Sequence, residues 1–200
     1  MAIDAQQAAA MSDEEVVALA LLDKEVFLFI VHRYRTKLLK YLSRLTNGSN
    51  EDLEDILQDI FLKVYRNLND FDDSLKFSSW IYAIARNEAV SAFRKKKVRP
   101  EGHATALDAE GARQLAAESD LAANLDTDFL RSRIGTVLSQ LDVKYREVLI
   151  LRFFEEKNYQ EISDIIKRPP GTVASLLNRA KAAFRREVAK MQFYDRGQKI

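Results

Sequence analysis

Three side chains near the carboxyl end of the chain, Ser175, Asn178 and Arg179, have the chemistry that reading a DNA sequence requires. Asn and Arg can form paired hydrogen bonds with base edges in the major groove, and a small neighbour such as Ser lets a helix approach those edges closely. Ala182 and Arg186 continue the polar side of the same predicted helix. The alternative interpretation is an ordinary helical hairpin with a solvated polar face.

These residues belong to the segment YQEISDIIKRPPGTVASLLNRAKAAF, which has the pattern of two short helices joined by a basic turn. Pro169 and Pro170 end the first helix, because proline lacks an N–H and disfavours helical geometry in the residue before it. Gly171 and Thr172 are expected to open the second helix, with Thr172 as a candidate cap. The pattern predicts a helix-turn-helix that reads a DNA groove. The apolar residues expected to bury this motif are Ile162, Ile165, Ile166, Val173, Leu176, Leu177, Ala180, Phe184 and Val188.

Composition indicates a helical protein without thiol, metal or cofactor chemistry. The 200 residues are 47% hydrophobic and 30% charged, with only three Pro and six Gly, which is typical of an all-α protein. The absence of Cys excludes disulfides, thiol catalysis and Cys-based zinc sites. His32 and His103 are far apart, so we expect no metal site and no cofactor. Because the net charge is +1, any affinity for DNA must come from local basic clusters.

Several other classes of protein are disfavoured. The sequence has no Gly-rich phosphate loop and no nucleophile elbow, and its carboxylates alternate with Lys and Arg as on a solvated surface, so we do not expect an enzyme. No apolar run approaches the roughly 20 residues needed to span a bilayer. The amino-terminal residues lack the basic and apolar regions of a signal peptide, so we expect a cytoplasmic location.

The hydrophobic periodicity predicts two small helical domains joined by a flexible linker. The first domain, residues 12–97, begins at a cap, Ser12, and contains four helices. Residues 98–124 are rich in Ala, Gly and acids and carry no strong apolar stripe, which favours a flexible linker in which short helical pieces can form. The second domain, residues 125–191, ends with the helix-turn-helix, and the tail after it is expected to be frayed.

A predicted helix from about residue 51 to 68 has an outward face of mixed character. Its core face includes Phe61, and its other face carries Asp55, Gln58, Asp59 and Leu62. A Leu among carboxylates is either an ordinary exposed residue or the apolar centre of a protein-binding patch with a polar rim.

Aromatic residues precede a basic run at the end of the first domain. Rings that stack on bases, beside cations that follow phosphates, suit single-stranded nucleic acid. Trp80, Asn87 and Arg94 are seven positions apart and align along one stripe of a helix. For Phe77 and Phe93 the alternative is a purely structural place in the core.

The two halves resemble the extracytoplasmic-function (ECF) sigma factors of bacterial RNA polymerase. The segment DILQDIFLKVYRNLNDFDDSLKFSSWIYAIARNEAVSAFRKK is similar to their region 2 domain, and LDVKYREVLILRFFEEKNYQEISDIIKRPPGTVASLLNRAKAAFRRE is similar to their region 4 domain. The order of the two domains and the size of the linker also match the family. The resemblance implies a promoter-specificity subunit that binds core polymerase and promoter DNA.

The resemblance also implies roles for particular residues. The surface that docks on the β′ clamp helices of core polymerase would comprise Asp55, Gln58, Asp59 and Leu62. The surface for the melted −10 element would comprise Phe71, Asp72, Phe77, Trp80, Asn87, Arg94 and Lys95. The −35 duplex would be read by Ser175, Asn178 and Arg179 and held at its phosphates by Lys167, Arg168, Thr172 and Arg186.

One position departs from the family pattern, since residue 174 is Ala where many members carry a basic residue. This makes the −35 sequence hard to infer. The β flap of polymerase and an anti-sigma factor or other regulator are further partners that the family implies.

Two rival functions stay open. One is a stand-alone helix-turn-helix repressor or activator with a helical dimerisation domain, which would bind a palindromic duplex. The other is a sigma mimic that titrates a regulator without binding DNA. A repressor needs neither the Asp55 and Leu62 patch nor the Trp80 and Asn87 stripe, and a mimic needs no polar face on the second helix of the motif.

Overall fold

The computed structural model describes residues 3–46, 48–95, 109–118 and 127–197, and this part of the chain is built from helices without any strand. The predicted all-α class is therefore confirmed. The chain divides into two compact units, the first comprising most residues before position 100 and the second most residues after it. The α-helices are α1 Ala5–Ala10, α2 Asp13–Leu22, α3 Phe27–Thr46, α4 Asn50–Arg66, α5 Phe77–Lys95, α6 Ala109–Glu118, α7 Thr127–Gln140, α8 Val143–Phe153, α9 Tyr159–Ile166 and α10 Pro170–Gly197, with 3₁₀ turns at Lys24–Val26 and Leu68–Asp70.

Local capping decides where helices of the first unit begin. Ser12 caps α2 as predicted: its hydroxyl accepts from the Glu15 N–H at 3.2 Å, and the Glu15 carboxylate accepts from the Ser12 N–H at 2.7 Å. Ser49 caps α4 by accepting from the Asp52 N–H at 3.2 Å. Each cap satisfies a backbone donor that the first turn of a helix leaves unpaired. The short helix α1, which begins at the cap Asp4, was not predicted.

The core of the first unit lies where α3, α4 and α5 pack their apolar faces together. Tyr41 and Tyr82 meet edge to face with ring centroids 5.2 Å apart, a favourable arrangement for two aromatic rings. Lys63 on α4 forms an ion pair with Glu88 on α5 across the edge of this core. Fully or almost fully buried side chains include Ile30, Tyr34, Leu38, Leu53, Leu57, Ile60, Val64, Phe77, Ile81 and Ala85.

Helix α8 is the centre of the second unit, since four successive residues from Val148 to Leu151 have no exposed surface. A helix that is apolar on all sides must be surrounded by other elements. Its contacts with α6 and α10 fulfil this requirement.

A buried guanidinium ties α7 to α8 within the second unit. Arg146 donates hydrogen bonds to the carbonyl oxygens of Leu138 at 2.9 Å, Ser139 at 2.9 Å and Leu141 at 3.2 Å. These carbonyls lie at or just beyond the end of α7, and the Leu138 carbonyl also accepts from the Leu141 N–H at 3.1 Å. The carbonyls of a last helical turn lack the usual partners within their helix. Burial lowers the pKa of Arg146, with the nearby Asp142 opposing the shift.

Two expectations about irregular segments need correction. Within residues 98–124, expected to lack a strong apolar stripe, Ala109–Glu118 is the helix α6, and its Ala112 and Leu115 are fully buried. The tail expected to be frayed after residue 191 continues α10 to Gly197. Among the residues that the structure describes, no helix has both the length and the apolar character that crossing a bilayer would demand.

Candidate nucleic-acid and protein-binding surfaces

The Ser163 side chain forms a hydrogen bond across the turn between α9 and α10. Helix α9 ends at Ile166, and Lys167 follows in a left-handed conformation with φ 55°. The Ser163 hydroxyl donates to the Arg168 carbonyl at 2.6 Å, and the Arg168 N–H donates to the Ser163 carbonyl at 3.2 Å. These two bonds span the turn and limit how α10 can be oriented relative to α9. No sequence motif singles out Ser163, because its role depends on the geometry of the turn.

Helix α10 starts before the predicted cap position, Thr172. The Pro169 carbonyl accepts hydrogen bonds from the Thr172 N–H at 2.8 Å and the Val173 N–H at 3.1 Å, so Pro170 is the first helical residue. Proline suits this position because its fixed φ matches the helix and its missing N–H would have no partner there. The prediction that Thr172 caps the helix is therefore wrong: Thr172 lies inside the first turn.

The predicted base-reading residues lie together on the exposed side of α10. Ser175, Asn178, Arg179 and Arg186 are all exposed. The Arg179 Nε donates to the Ser175 carbonyl at 3.3 Å, and the Ser175 hydroxyl donates to the Thr172 carbonyl at 3.0 Å. Ala174 is half-buried. The opposite side of the helix is buried through Val173, Leu177, Ala180 and Phe184.

Positive charge is concentrated where α10 begins. Lys167, Arg168 and Thr172, for which contacts with phosphates are predicted, are exposed there. The partial positive charge of a helix amino terminus adds to the attraction for anions. Gly171 leaves open space at this end, since a Cβ built on it would meet nothing within 4 Å.

An aromatic cluster forms where the loop after α4 meets the start of α5. The Phe71 ring centroid lies 5.4 Å from that of Phe77 and 5.5 Å from that of Trp80, and the Phe77 and Trp80 centroids are 5.7 Å apart. Phe71 and Trp80 are half-buried, whereas Phe77 has no exposed surface. Phe77 therefore supports the other two rings and is not available to stack on a base, which corrects its place among the predicted DNA contacts.

Polar groups border this aromatic cluster. Asp72 is exposed and accepts from the Ser74 N–H at 3.0 Å. Hydrogen bonds from the Ser74 hydroxyl and backbone lower the pKa of Asp72. Asn87 is exposed on α5, seven positions after Trp80. Arg94 and Lys95 belong to the last turn of α5, but their side chains lie outside the described part of the chain.

Three residues beneath the cluster were missed by sequence reasoning. The Tyr34 ring packs edge to face on Phe77 at 5.7 Å, and its hydroxyl donates to Asp13 at 2.5 Å. Burial raises the pKa of Tyr34 far above its usual range, and the hydrogen bond to Asp13 raises it further. The Glu14 carboxylate accepts from the backbone N–H of Phe77 at 2.9 Å.

A third surface lies on the outward side of α4. Asp55, Gln58, Asp59 and Leu62 are all exposed, and about half of the Leu62 surface, 51%, is accessible. An exposed Leu surrounded by polar groups has the composition of an interface centre with its rim.

Leu62 also forms one wall of a groove of about 510 Å³ between α3 and α4. Phe61, predicted to belong to the core, is only half-buried and lines this groove. Arg35 and Glu54, whose charged atoms are 2.6 Å apart, are the ion pair among its lining residues. The other lining residues are Phe27, Val31, Leu57, Gln58 and Tyr65.

In the described helices and loops, no three or more His, Asp or Glu side chains are grouped so as to hold a metal ion.

Comparison with protein families shows that each unit matches a region of the same family, Sigma-70. Residues 30–99 match the family model for Sigma-70 region 2, and residues 131–184 match that for Sigma-70, region 4. The chain is 34% identical over 175 residues to the ECF RNA polymerase sigma factor SigW of Bacillus subtilis, covering 83% of this chain and 90% of SigW.

Solved structures share the fold. CnrH, in complex with the cytosolic domain of CnrY, superposes with a TM-score of 0.64 at 21% identity, over 89% of this chain and 97% of CnrH. The sigma factor RpoE of Bartonella quintana, in complex with the anti-sigma factor NepR, superposes with a TM-score of 0.59 at 19% identity, over 82% of this chain and 96% of RpoE.

Proposed function

The chain belongs to the ECF group of the sigma-70 family, and from this membership we propose which of its surfaces performs each step of transcription initiation. The protein is a sigma factor: it binds RNA polymerase and directs it to promoters. Sigma factors are initiation factors without enzymatic activity of their own. Because a sigma factor acts on RNA polymerase, we expect the protein to be located in the cytoplasm.

The exposed side of α10 is the proposed reader of the −35 duplex. Asn178 and Arg179 would contact base edges in the major groove, and Ser175 would allow the close approach that these contacts need. Lys167 and Arg168, exposed at the turn, would hold phosphates and set the orientation of α10. The observation in support is that polar residues occupy the exposed side, while Val173, Leu177, Ala180 and Phe184 are buried.

The aromatic cluster is the proposed capture site for the melted −10 element. Phe71 and Trp80 are partly exposed and supported from below by the fully buried Phe77. A base that stacks on an aromatic ring gains roughly 1–3 kcal/mol, and unstacking a base step costs a few kcal/mol. A small number of such contacts is enough to shift the opening equilibrium. This supported pair of exposed rings is the observation that carries the proposal.

Helix α4 is the proposed docking surface for the β′ clamp helices of core polymerase. Leu62 would enter the interface, with Asp55, Gln58 and Asp59 as its polar rim. The groove between α3 and α4 continues the apolar surface beside Leu62.

A regulatory partner is proposed from the structural relatives. CnrH was solved with the cytosolic domain of CnrY, and RpoE was solved with the anti-sigma factor NepR. By analogy, a protein of the anti-sigma type would bind this chain and limit its access to polymerase.

The decisive experiment is transcription by core polymerase with the purified full-length protein on genomic DNA, with transcript starts mapped. We expect a small set of starts that share sequence elements near −35 and −10. A duplex with 2-aminopurine in the mapped −10 element should then brighten as the base unstacks. Random starts, or no dependence on the added protein, would contradict the function. Unchanged 2-aminopurine fluorescence in a productive complex would contradict the capture site.

A further inference from the structure

The first turn of α2 supplies two adjacent carboxylates to the underside of the aromatic cluster. Asp13 accepts from the Tyr34 hydroxyl at 2.5 Å and forms an ion pair with Arg33, also at 2.5 Å. Glu14 accepts from the Phe77 N–H at 2.9 Å, across a separation of 63 residues. The clasp, defined as Asp13 and Glu14, thus contacts both of the helices that present the buried rings, α3 through Asp13 and α5 through Glu14.

Glu14 accepts a hydrogen bond at the amino terminus of α5, where the cap residue Lys76 cannot accept one with its side chain. The Lys76 carbonyl accepts from the N–H groups of Ser79 and Trp80, which places Lys76 at the cap position. A Lys side chain has donors and no acceptor, so it cannot cap the helix. The first turn of α5 has no acidic residue either. A carboxylate at a helix amino terminus is favoured both by the hydrogen bond and by the helix dipole.

The contacts form a continuous path from the clasp to the exposed rings. Tyr34 packs on Phe77 with centroids 5.7 Å apart, and Phe77 supports Phe71 and Trp80 at 5.4 and 5.7 Å. Glu14 holds the backbone of Phe77, three positions before Trp80, and so limits movement of the first turn of α5. Buried rings packed in this way transmit a displacement because the core has no free space to absorb it.

We propose that Asp13 and Glu14 are positioning residues for −10 capture, which hold the Phe71 and Trp80 rings in the arrangement that accepts an unstacked base. The inference rests on the proposed capture site. The two carboxylates need not touch DNA, and their effect passes through Tyr34 and Phe77. Misplacement of a binding group by about 1 Å is enough to lower a rate strongly.

The test uses three substitutions in the full-length protein and its complex with core polymerase. Glu14→Ala removes the acceptor for the Phe77 N–H, whereas Glu14→Gln keeps an oxygen that can accept the same bond. Glu15→Ala is the matched control, because Glu15 lies on the same turn of α2 but closes the local capping box with Ser12.

The first readout is the fluorescence of Trp80, the single tryptophan of the chain, in the free protein. We expect Glu14→Ala to shift its emission, while Glu14→Gln and Glu15→Ala keep the emission of the wild type. The second readout is unstacking of 2-aminopurine in the −10 element by the polymerase complex. We expect Glu14→Ala to slow unstacking by roughly tenfold, with near wild-type rates for the other two variants.

Three outcomes would overturn the inference. One is an unchanged emission and opening rate for Glu14→Ala. Another is an equal loss for Glu15→Ala, which would show a general effect of α2 stability. A third is faster opening in both Glu14 variants, which would show that the carboxylate merely repels DNA. Failure of the wild-type complex to unstack the base would instead contradict the capture site itself, while the emission of the free protein would still report on the clasp.

Tyr34→Phe provides a second route if Glu14→Ala does not fold. This substitution keeps the ring that packs on Phe77 and removes only the hydroxyl bonded to Asp13. A shifted Trp80 emission with slower opening would support the clasp, and wild-type values for both would contradict it.

Discussion

The ring of Trp80 lies 5.5 Å from the ring of Phe71, with the two planes inclined by 59°, so that a helix and the preceding loop share one aromatic surface. Both rings are partly exposed, and the fully buried Phe77 lies against each of them. Each partly exposed ring is therefore packed against an aromatic residue of the other element, and part of its surface is open to solvent.

Replacement of Trp80 by Ala should impair promoter opening. The loss of one stacked base would cost roughly 1–3 kcal/mol, or about 5- to 150-fold in open-complex formation on duplex DNA. Trp80→Phe should retain most of the activity because a ring is preserved. Opening can be followed by permanganate reactivity of −10 thymines, with binding to the −35 element measured in parallel. Equal opening by the Ala and Phe variants would argue against stacking at this position.

Replacement of Arg179 by Ala should relax recognition of the −35 element. A base contact from Arg contributes about 1–3 kcal/mol of discrimination, so the ratio of transcription from native and altered −35 elements should fall accordingly. Lys190→Ala is a suitable control, because Lys190 is also an exposed cation of α10 but is paired with Glu187 at 2.7 Å. The assignment fails if the wild type itself transcribes both templates equally.

The double substitution Asp55→Arg with Leu62→Arg should abolish binding to core polymerase and leave the fold intact. Both side chains are exposed on α4, so charge reversal and the loss of an apolar contact act on the interface and not on the core. Co-purification with core polymerase measures the effect, and circular dichroism checks the fold. Leu22→Arg is the control, since Leu22 is 86% exposed at the end of α2. Undiminished co-purification would rule out α4 as the docking surface.

Removal of the Arg146 side chain should destabilise the second unit. Arg146→Ala removes the guanidinium that donates to the carbonyls of Leu138, Ser139 and Leu141, and we expect a loss of about 3–5 kcal/mol in the free energy of unfolding. Urea unfolding followed by circular dichroism provides the measurement. Arg186→Ala, at an exposed site on α10, should change stability by less than about 0.5 kcal/mol. A similarly small change for Arg146→Ala would show that water can replace the guanidinium.

Features that depend on neighbouring residues were predicted well. The Ser12 cap, the division of α10 into a polar and an apolar side, and the exposure of Asp55 and Leu62 all follow from helical periodicity and local hydrogen bonding. The roles of these surfaces remain predictions. Side-chain chemistry alone could not separate Trp80 from Phe77, because both are aromatic and three positions apart on α5.

The incorrect predictions concern burial and helix ends. The resemblance placed Phe77 at the DNA surface, but it lies in the core, which was the alternative for this residue. Phe61 was placed in the core but lines a groove. The burial of these two residues depends on which elements pack against α4 and α5. Hydrophobic periodicity does not specify that packing. Thr172 was expected to cap α10, but Pro170 already fits the first helical position, so the helix begins before it.

The amino-acid sequence was sufficient to predict an all-α chain, its helix-turn-helix and the residues that α10 exposes. Each of these features depends mainly on residues within about one helical turn of each other. Tertiary structure alone decided that Glu14 reaches the Phe77 N–H and that Phe77 lies beneath Phe71 and Trp80. The physical reason is that a hydrogen bond between residues 63 positions apart forms only when packing brings two helices together, and no local pattern encodes that approach.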